Sequence, residues 1–448
     1  MSSALFIFCL LLVYHRSAFT FYTKQQRHHH EISQLSQFTT ARGVIIPPSL
    51  ALASSSGRVR LRKSDQPRGF RHMATTPTWL ESIERVSEEI IAPEAAKIDA
   101  SGAFPRAAIK AMGKAGLLGL VNGKEVGGLG EGHAAATRVV ERIARECAST
   151  AMVVCMHYCG AAVIEAFGPR EAREAVARGE HVTTLAFSES GSRSQFWAPM
   201  SSATRVNGAV RLDAKKSWST SAGEADSYVW SSKPLAADGA STIWLVPAKT
   251  PGLSVGGPFD GLGLRGNCSS PVLADGVMVG AEAMLGADGQ GFDIMMGTVL
   301  PYFQLMSAAV SLGVSETATQ KTVAHLTTTR YEHLNQTLAE QPTNRAYLAK
   351  MKIKVDLLRT LLDDALAALE GGRADAMLRV LESKAAAGEI ATEVTDLAMR
   401  LCGGAAFRKE VGVERNFRDA RAANVMAPTT DALYDFIGKA LTGLPLFG

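Results

Sequence analysis

The chain has 448 residues, of which 46% are apolar and 20% charged, and its formal net charge is +4. This composition excludes a wholly disordered chain, a collagen-like repeat and a polytopic membrane protein. The positive charge is concentrated before residue 74, where ten Lys and Arg residues and two acidic residues give +8. The remaining 37 basic and 41 acidic residues give −4, which argues against a nucleic-acid partner.

Residues 1–73 have the composition of a targeting leader. Residues 1–18 resemble a signal peptide, because the apolar run 4–14 is too short to span a membrane as a stable helix. Residues 19–73 are rich in Ser, Thr and Arg and nearly free of acid, which is typical of a transit peptide. The two parts together predict delivery to a plastid and a soluble protein after processing. Secretion, a mitochondrial presequence and translation from Met73 are the alternatives.

The hydrophobic periodicity changes three times after the leader. Residues 74–180 have apolar positions at three- and four-residue spacing, which predicts an N-terminal helical domain. Residues 181–288 contain short period-two segments bounded by Gly, Pro, Asn and Asp, which predicts a middle antiparallel β-barrel or sandwich. Residues 289–448 return to helical periodicity, with Gly313 inside one long helix, and predict a helical bundle. The fold class is therefore α+β.

The cysteines after the leader have no regular spacing that would indicate disulfides or a metal site. Cys155 and Cys159 share a helical face around His157, but a tetrahedral metal site needs a further ligand. We interpret both as small buried apolar residues and predict no metal.

Four stretches of the chain carry a resemblance to one enzyme family. They are residues 185–195 (LAFSESGSRSQ), 218–223 (WSTSAG), 261–266 (GLGLRG) with the loop 285–292, and 400–407 (RLCGGAAF) followed by Glu414-Arg415 and Arg418-Asp419-Ala420. In this order and at these intervals they resemble the acyl-CoA dehydrogenase family over about four-fifths of the chain. Arg193 and Gln195 depart from the family pattern, which has Gly and Asp at these positions.

The resemblance implies an N-terminal helical domain and a C-terminal four-helix bundle on either side of the β domain. It also implies an FAD cofactor that lies between the domains and across a dimer contact, within a homodimer or homotetramer. The residues that it assigns to FAD are Ser188, Ser194, Trp218, Thr220, Arg330, Gln341, Arg400, Gly403, Gly404 and Thr429.

The usual catalytic glutamate of the family has no counterpart in this sequence. By interval from Arg418 its position is Ala427, and the alternative position on the long helix, aligned on Gly313, is Phe303. A carboxylate is needed there to remove the α-proton of the substrate. The catalytic residue therefore remains unknown, with Asp431 and Glu125 as candidates for a non-standard base.

The resemblance implies a fatty acid metabolism enzyme that removes hydrogen from the α and β carbons of an acyl-CoA or related thioester. Hydride would pass to flavin N5 near Thr220, and an electron-transferring flavoprotein or oxygen would accept the electrons. A flavin-dependent monooxygenase or oxidase of the same fold is one alternative. A catalytically silent, FAD-bound binding subunit is another.

Overall fold

The computed structural model describes residues 77–193 and 195–446. The leader and Ser194 therefore lie outside the described residues. The first part of the fold is helical. Its helices are α1 (Thr78–Val86), α2 (Ala92–Ser101), α3 (Arg106–Lys114), α4 (His133–Ala144), α5 (Ala148–Phe167) and α6 (Arg170–Ala177). A π-helical turn, Ser87–Ile91, joins α1 to α2. The glycine-rich stretch after residue 126 forms the turn before α4, with Gly127 and Gly130 at positive φ.

Helix α5 is the core helix of this part. This helix is long and apolar enough to cross a membrane, but 78% of its apolar stretch is buried inside the protein, so it forms part of the core. Cys155 and Cys159 are buried in it as small apolar residues. His157 donates from Nε2 to the Leu118 carbonyl (2.9 Å) and accepts the Thr183 N–H at Nδ1 (3.2 Å), which fixes a neutral tautomer.

The middle part consists of eight strands in two four-stranded sheets. They are β1 (Thr183–Ala186), β2 (Ser202–Val206), β3 (Ala209–Ser219), β4 (Ser227–Ser232), β5 (Thr242–Pro247), β6 (Leu253–Val255), β7 (Ser270–Val279) and β8 (Met284–Leu285). The strand orders are β1-β4-β5-β8 and β2-β3-β7-β6.

The predicted β domain is confirmed as two sheets, and one detail of it was wrong. Each sheet of the described chain is open, so of the two predicted forms the sandwich holds and the closed barrel does not. The pairing is also mixed, because β1 and β4 run parallel with Thr183 opposite Ser227. A long connection through β2 and β3, which belong to the other sheet, separates these two strands. Parallel pairing needs such a crossover, and short-range periodicity does not reveal it.

The last part is helical again. Its helices are α7 (Gly291–Ile294), α8 (Leu300–Thr328), α9 (Pro342–Glu370), α10 (Ala376–Cys402), α11 (Val413–Ala420), α12 (Ala422–Val425) and α13 (Thr430–Thr442). A π-helical turn, Met295–Val299, connects α7 to α8, and a short hairpin of β9 (Arg330–Tyr331) and β10 (Gln336–Thr337) connects α8 to α9. Helices α8, α9 and α10 pack against one another, and α13 packs on α10.

The contact between α4 and α8 joins the first and last parts of the fold. A Cβ on Gly313 would lie 2.7 Å from the Glu141 carbonyl oxygen and 2.8 Å from the Ala144 Cβ, so glycine permits the close approach. The Glu141 carboxylate beside this contact is buried and accepts hydrogen bonds from Arg145 (2.6 Å) and Arg359 (2.7 Å). Burial raises its pKa, but the arginines outweigh this and lower it, so the carboxylate stays ionised.

Candidate active site

A cavity of about 920 Å³ opens where the helical parts meet the sheets. Its walls come from α5, the end of β1 and the loop after it, the end of β3, residues 259–269, the start of α8 and residues 418–429. A volume of this size is typical of a cofactor or small-molecule site. Much of the wall is apolar, and this part includes Met152, Met156, Leu185, Phe187 and Phe303.

Hydroxyl groups and an aromatic ring from the β domain line the same cavity. Ser188 follows β1, and Thr220 follows β3 with its Oγ1 3.0 Å from the Ser269 Oγ. Trp218 also lines the cavity, and its residue surface is 65% exposed although an indole ring is largely apolar. An uncovered indole beside hydroxyl donors fits a planar heteroaromatic ligand with polar edges.

Thr429 enters the cavity wall from the opposite part of the fold. It is the N-cap of α13, and its Oγ1 accepts the backbone N–H of Ala432 (3.3 Å). The hydroxyl proton remains available for a ligand. The structure therefore places Ser188, Trp218, Thr220 and Thr429 around one cavity, while their contacts with FAD stay a prediction.

Arg418 and Asp419 fix the loop that carries Gly263 and Leu264 into the cavity wall. The Arg418 guanidinium binds both carboxylate oxygens of Asp99 (2.9 and 2.6 Å) and donates to the Leu262 carbonyl (3.2 Å). The neighbouring Asp419 accepts the backbone N–H of Leu264 at 2.7 Å. Burial raises the pKa of Asp419 to about 6.

Glu189 is the only carboxylate among the described residues that line the cavity, and its oxygens are already occupied. They accept Lys216 Nζ (2.6 Å), Ser201 Oγ (2.7 Å) and the backbone N–H groups of Met200 (2.9 Å) and Ser201 (3.0 Å). Burial raises the pKa of Glu189, but Lys216 and these donors lower it by more. Burial lowers the pKa of Lys216 to about 8, so both groups are charged at neutral pH. Glu189 is therefore a structural anion and a poor proton acceptor.

Comparison with known proteins decides the family. The chain matches the acyl-CoA dehydrogenase N-terminal domain over residues 76–179, the middle domain over 184–277 and the C-terminal domain over 289–442. The chain belongs to the acyl-CoA dehydrogenase family. Members of this family are FAD-dependent oxidoreductases that act on CH–CH groups, and FAD is the cofactor of this protein.

Individual relatives extend over most of the chain. The mitochondrial short-chain specific acyl-CoA dehydrogenase of Bos taurus is 30% identical over 368 residues, which cover 77% of this chain and 84% of that protein. The cyclohex-1-ene-1-carbonyl-CoA dehydrogenase of Geobacter metallireducens is 29% identical over 370 residues, 81% of this chain and 96% of the relative. Butyryl-CoA dehydrogenase from Megasphaera elsdenii superposes with a TM-score of 0.76 at 23% identity, covering 82% of this chain and 98% of that structure, and shares its fold.

The two positions that the resemblance implies for the catalytic carboxylate both lie in the cavity wall. Ala427 precedes α13 and Phe303 lies in the first turn of α8. The structure does not bring the two candidate replacements to this cavity. Glu125 pairs with Arg173 on the N-terminal helical part, and Asp431 lies exposed in the first turn of α13. Within the described part of the chain, the cavity thus has no free carboxylate.

A second group of predicted FAD residues lies away from the cavity, at the ends of the long C-terminal helices. Arg330 donates to the Asn335 carbonyl at 2.7 Å, and Gln341 is the N-cap of α9. Arg400 stacks on Tyr347, with the guanidinium carbon 4.6 Å from the ring centroid. Gly403 and Gly404 are exposed, and a Cβ on either would meet open space. Ser194, also assigned to FAD, lies outside the described residues.

The sequence analysis missed three charged groups next to the cavity, which are Glu189, Lys216 and Lys384. The sequence gives no signal for the Glu189–Lys216 pair, since Glu189 follows β1 in a polar loop and Lys216 adjoins Lys215 in a strand with other charged residues. Lys384 stands on the apolar face of α10, where an unpaired lysine is an anomaly. Hydrophobic periodicity does not show which groups bind these buried charges, because the groups that bind them come from distant segments of the chain.

Proposed function

We propose that this protein is an FAD-dependent dehydrogenase that oxidises the α and β carbons of an acyl thioester. One observation carries the proposal. The same cavity combines hydroxyl groups suited to a flavin, at Ser188, Thr220 and Thr429, with an apolar lining suited to an acyl chain. The likeness to short-chain specific acyl-CoA dehydrogenases supports a thioester of coenzyme A as the substrate class.

The residues of the chain have separate tasks in this reaction. The backbone N–H of Ala427 would bind the thioester carbonyl and make the α-proton more acidic. Met152, Phe187 and Phe303 would hold the acyl chain and exclude water from it. When bound, FAD supplies the two-electron acceptor, which takes a hydride from the β carbon.

The described cavity wall lacks the free carboxylate that would act as the base. Glu189 is held by Lys216 and Ser201, so no side chain of the described cavity wall is positioned to remove the α-proton. Loss of a positioned general base typically lowers a rate by about 10²–10⁴-fold. We therefore expect acyl thioesters to reduce the flavin slowly. The reduced flavin would then pass its electrons to an electron-transferring flavoprotein or to oxygen.

The absence of a free carboxylate in the described cavity wall also favours a second function. A flavin-dependent monooxygenase of the same fold needs no base for an α-proton. Two measurements distinguish the dehydrogenase from the monooxygenase. The first is anaerobic mixing of the purified holoprotein with a panel of acyl-CoAs, and the second is oxygen consumption in air. Bleaching of the oxidised flavin band by any thioester supports dehydrogenation. Oxygen consumption that requires added reduced flavin supports the monooxygenase. The absence of both reactions would leave only a catalytically silent FAD-bound subunit.

We also propose a homodimer or homotetramer in which each chain completes the FAD site of its neighbour. Arg330, Gln341, Arg400, Gly403 and Gly404 support it, because they are accessible and lie outside the cavity of their own chain. Arg400→Glu would place a negative charge where the cofactor's diphosphate is expected. We expect this variant to retain less FAD, measured by absorbance per chain after gel filtration. Full FAD content in a monomeric protein would contradict the proposal.

For the leader we propose delivery to a plastid through two successive signals. The support is compositional, an apolar segment within residues 1–18 followed by the basic, acid-poor segment 19–73. A fluorescent protein fused after residue 73 should accumulate in plastids, and deletion of residues 1–18 should redirect it. Accumulation in mitochondria, or in the secretory pathway, would favour the corresponding alternative.

A further inference from the structure

Lys384 presents a fully buried ammonium group to a short segment of backbone. Its residue surface is 1% exposed, and it lies on α10. Nζ donates to the carbonyl oxygens of Ala423 (3.2 Å), Met426 (3.1 Å) and Pro428 (2.7 Å). A lysine ammonium has three protons, and three acceptors surround it. The side chain thereby fixes the end of α12 and the turn that follows it.

The segment held in this way is a wall of the flavin cavity. Met426, Ala427 and Thr429 all line that cavity, and so does Phe303, whose ring centroid lies 5.9 Å from Lys384 Nζ. Lys384 itself is not part of the lining. Its charge therefore lies one layer of residues behind the cavity surface.

The described hydrogen-bond partners of Lys384 are all neutral carbonyl groups. None of them is a carboxylate that would neutralise its charge. Lys216, the other fully buried lysine beside the cavity, donates to the Glu189 carboxylate at 2.6 Å. Ala427 lies between Met426 and Pro428, whose carbonyl groups bind Lys384, and its methyl side chain adds no negative charge. A buried, uncompensated cation acts over a longer range than a solvated one, because protein and not water lies around it.

The same geometry excludes Lys384 as the proton acceptor of the reaction. A base needs a lone pair directed at the substrate, whereas every proton of this ammonium is directed at a carbonyl oxygen. Burial lowers the pKa of Lys384 to about 7, so the ammonium carries its full charge below neutral pH. Its effect on chemistry in the cavity is therefore electrostatic.

We propose that Lys384 is a positioning residue of the flavin site, which holds the cavity wall at residues 423–428 and stabilises the negative charge that the cofactor gains on reduction. Two-electron reduction of a flavin with uptake of one proton adds one negative charge to its ring system. A fixed ammonium behind the wall favours that state and raises the reduction potential. The inference rests on FAD binding and not on the substrate, so its test needs no thioester.

The test compares the reduction potential of bound FAD in the full-length wild-type holoprotein and three variants, by equilibration with a reference dye. Lys384→Gln keeps an amide donor for the carbonyl groups and removes the charge, and Lys384→Met removes both. Lys321→Met is the matched control. Lys321 is also a lysine whose pKa burial lowers, to about 8, and it donates to the Gly412 carbonyl (3.0 Å) and to Asn416 Oδ1 (2.9 Å), neither of which lines the cavity.

We expect Lys384→Gln to shift the reduction equilibrium at least tenfold toward the oxidised form, which is about 30 mV for a two-electron couple. Lys384→Met should shift it in the same direction, and Lys321→Met should leave it unchanged. A Lys384→Gln holoprotein with the wild-type potential would overturn the proposal. Loss of FAD from both Lys384 variants, when the Lys321 variant retains it, would overturn the charge effect, because Lys384 would then act on the cofactor only by holding the cavity wall.

Discussion

Phe303 and Ala427 line the same cavity, although one begins the long helix α8 and the other precedes α13. These are the two positions at which the acyl-CoA dehydrogenase resemblance places a catalytic carboxylate. Their convergence on one cavity supports that assignment, while the side chains at both positions are apolar. A carboxylate restored at either position would face the cavity.

Ala427→Glu should therefore increase the rate of flavin reduction. A positioned general base contributes about 10²–10⁴-fold, so we expect an increase of about 10²-fold or more with a reactive acyl-CoA. Anaerobic stopped-flow measurement of the flavin band gives this rate directly. Ala427→Gln is the control for size without basicity. Equal rates in the Glu and Gln variants would show that the missing carboxylate does not limit the reaction.

Glu189→Gln should destabilise the protein strongly. The substitution leaves the Lys216 ammonium buried without its carboxylate, and removal of one partner from a buried ion pair costs about 3–5 kcal/mol. Urea unfolding of the holoprotein measures the loss. Asp435→Asn is the matched control, because it breaks the exposed pair with Lys439 and should cost less than about 1 kcal/mol. Similar losses in the two variants would refute the structural role of Glu189.

His157 should make the folded state sensitive to acid. Burial lowers its pKa from 6.5 to about 4, and its hydrogen bonds to Leu118 and Thr183 require the neutral ring. Between these pH values the unfolded chain binds the proton more readily, so the free energy of unfolding falls as the pH falls from 6.5 to 4. A shift of this size corresponds to about 3 kcal/mol.

His157→Gln retains a donor and an acceptor but does not titrate, so its unfolding free energy should depend less on pH in this window. His133, whose pKa burial also lowers to about 4, contributes in the same direction and remains in both proteins. Urea unfolding at several pH values gives the two slopes. Parallel slopes would show that His157 is not a source of the acid sensitivity.

Gly313→Ala should weaken the contact between α4 and α8. Its Cβ would lie 2.7 Å from the Glu141 carbonyl oxygen, and overpacking of this kind costs about 1–3 kcal/mol. Gly438→Ala, within α13, is the control in which an added Cβ meets no neighbouring atom. Nothing lies within 4 Å of its Cβ, so alanine should be neutral or stabilise by up to about 1 kcal/mol. Thermal unfolding of both variants separates crowding from helix propensity, and a stable Gly313→Ala protein would contradict the close approach.

The sequence was most informative where a residue's role depends on its own segment. Thr429 was predicted as a flavin contact and forms the N-cap of α13 in the cavity wall, and the long helix around Gly313 was evident from its apolar pattern. It was least informative where the partner is distant along the chain. The three carbonyl groups around Lys384 and the parallel pairing of β1 with β4 depend on which segments meet, and periodicity within one segment does not contain that information.

The accessible indole of Trp218 gives this protein a built-in optical reporter. Trp230 and Trp244 are fully buried, whereas 65% of the Trp218 surface remains open at the cavity. A ligand that covers Trp218 changes the polarity around this exposed indole and leaves the buried Trp230 and Trp244 unchanged. Cofactor loss would therefore appear as a red-shifted rise in tryptophan emission, so the occupancy of the site can be followed by fluorescence without any label.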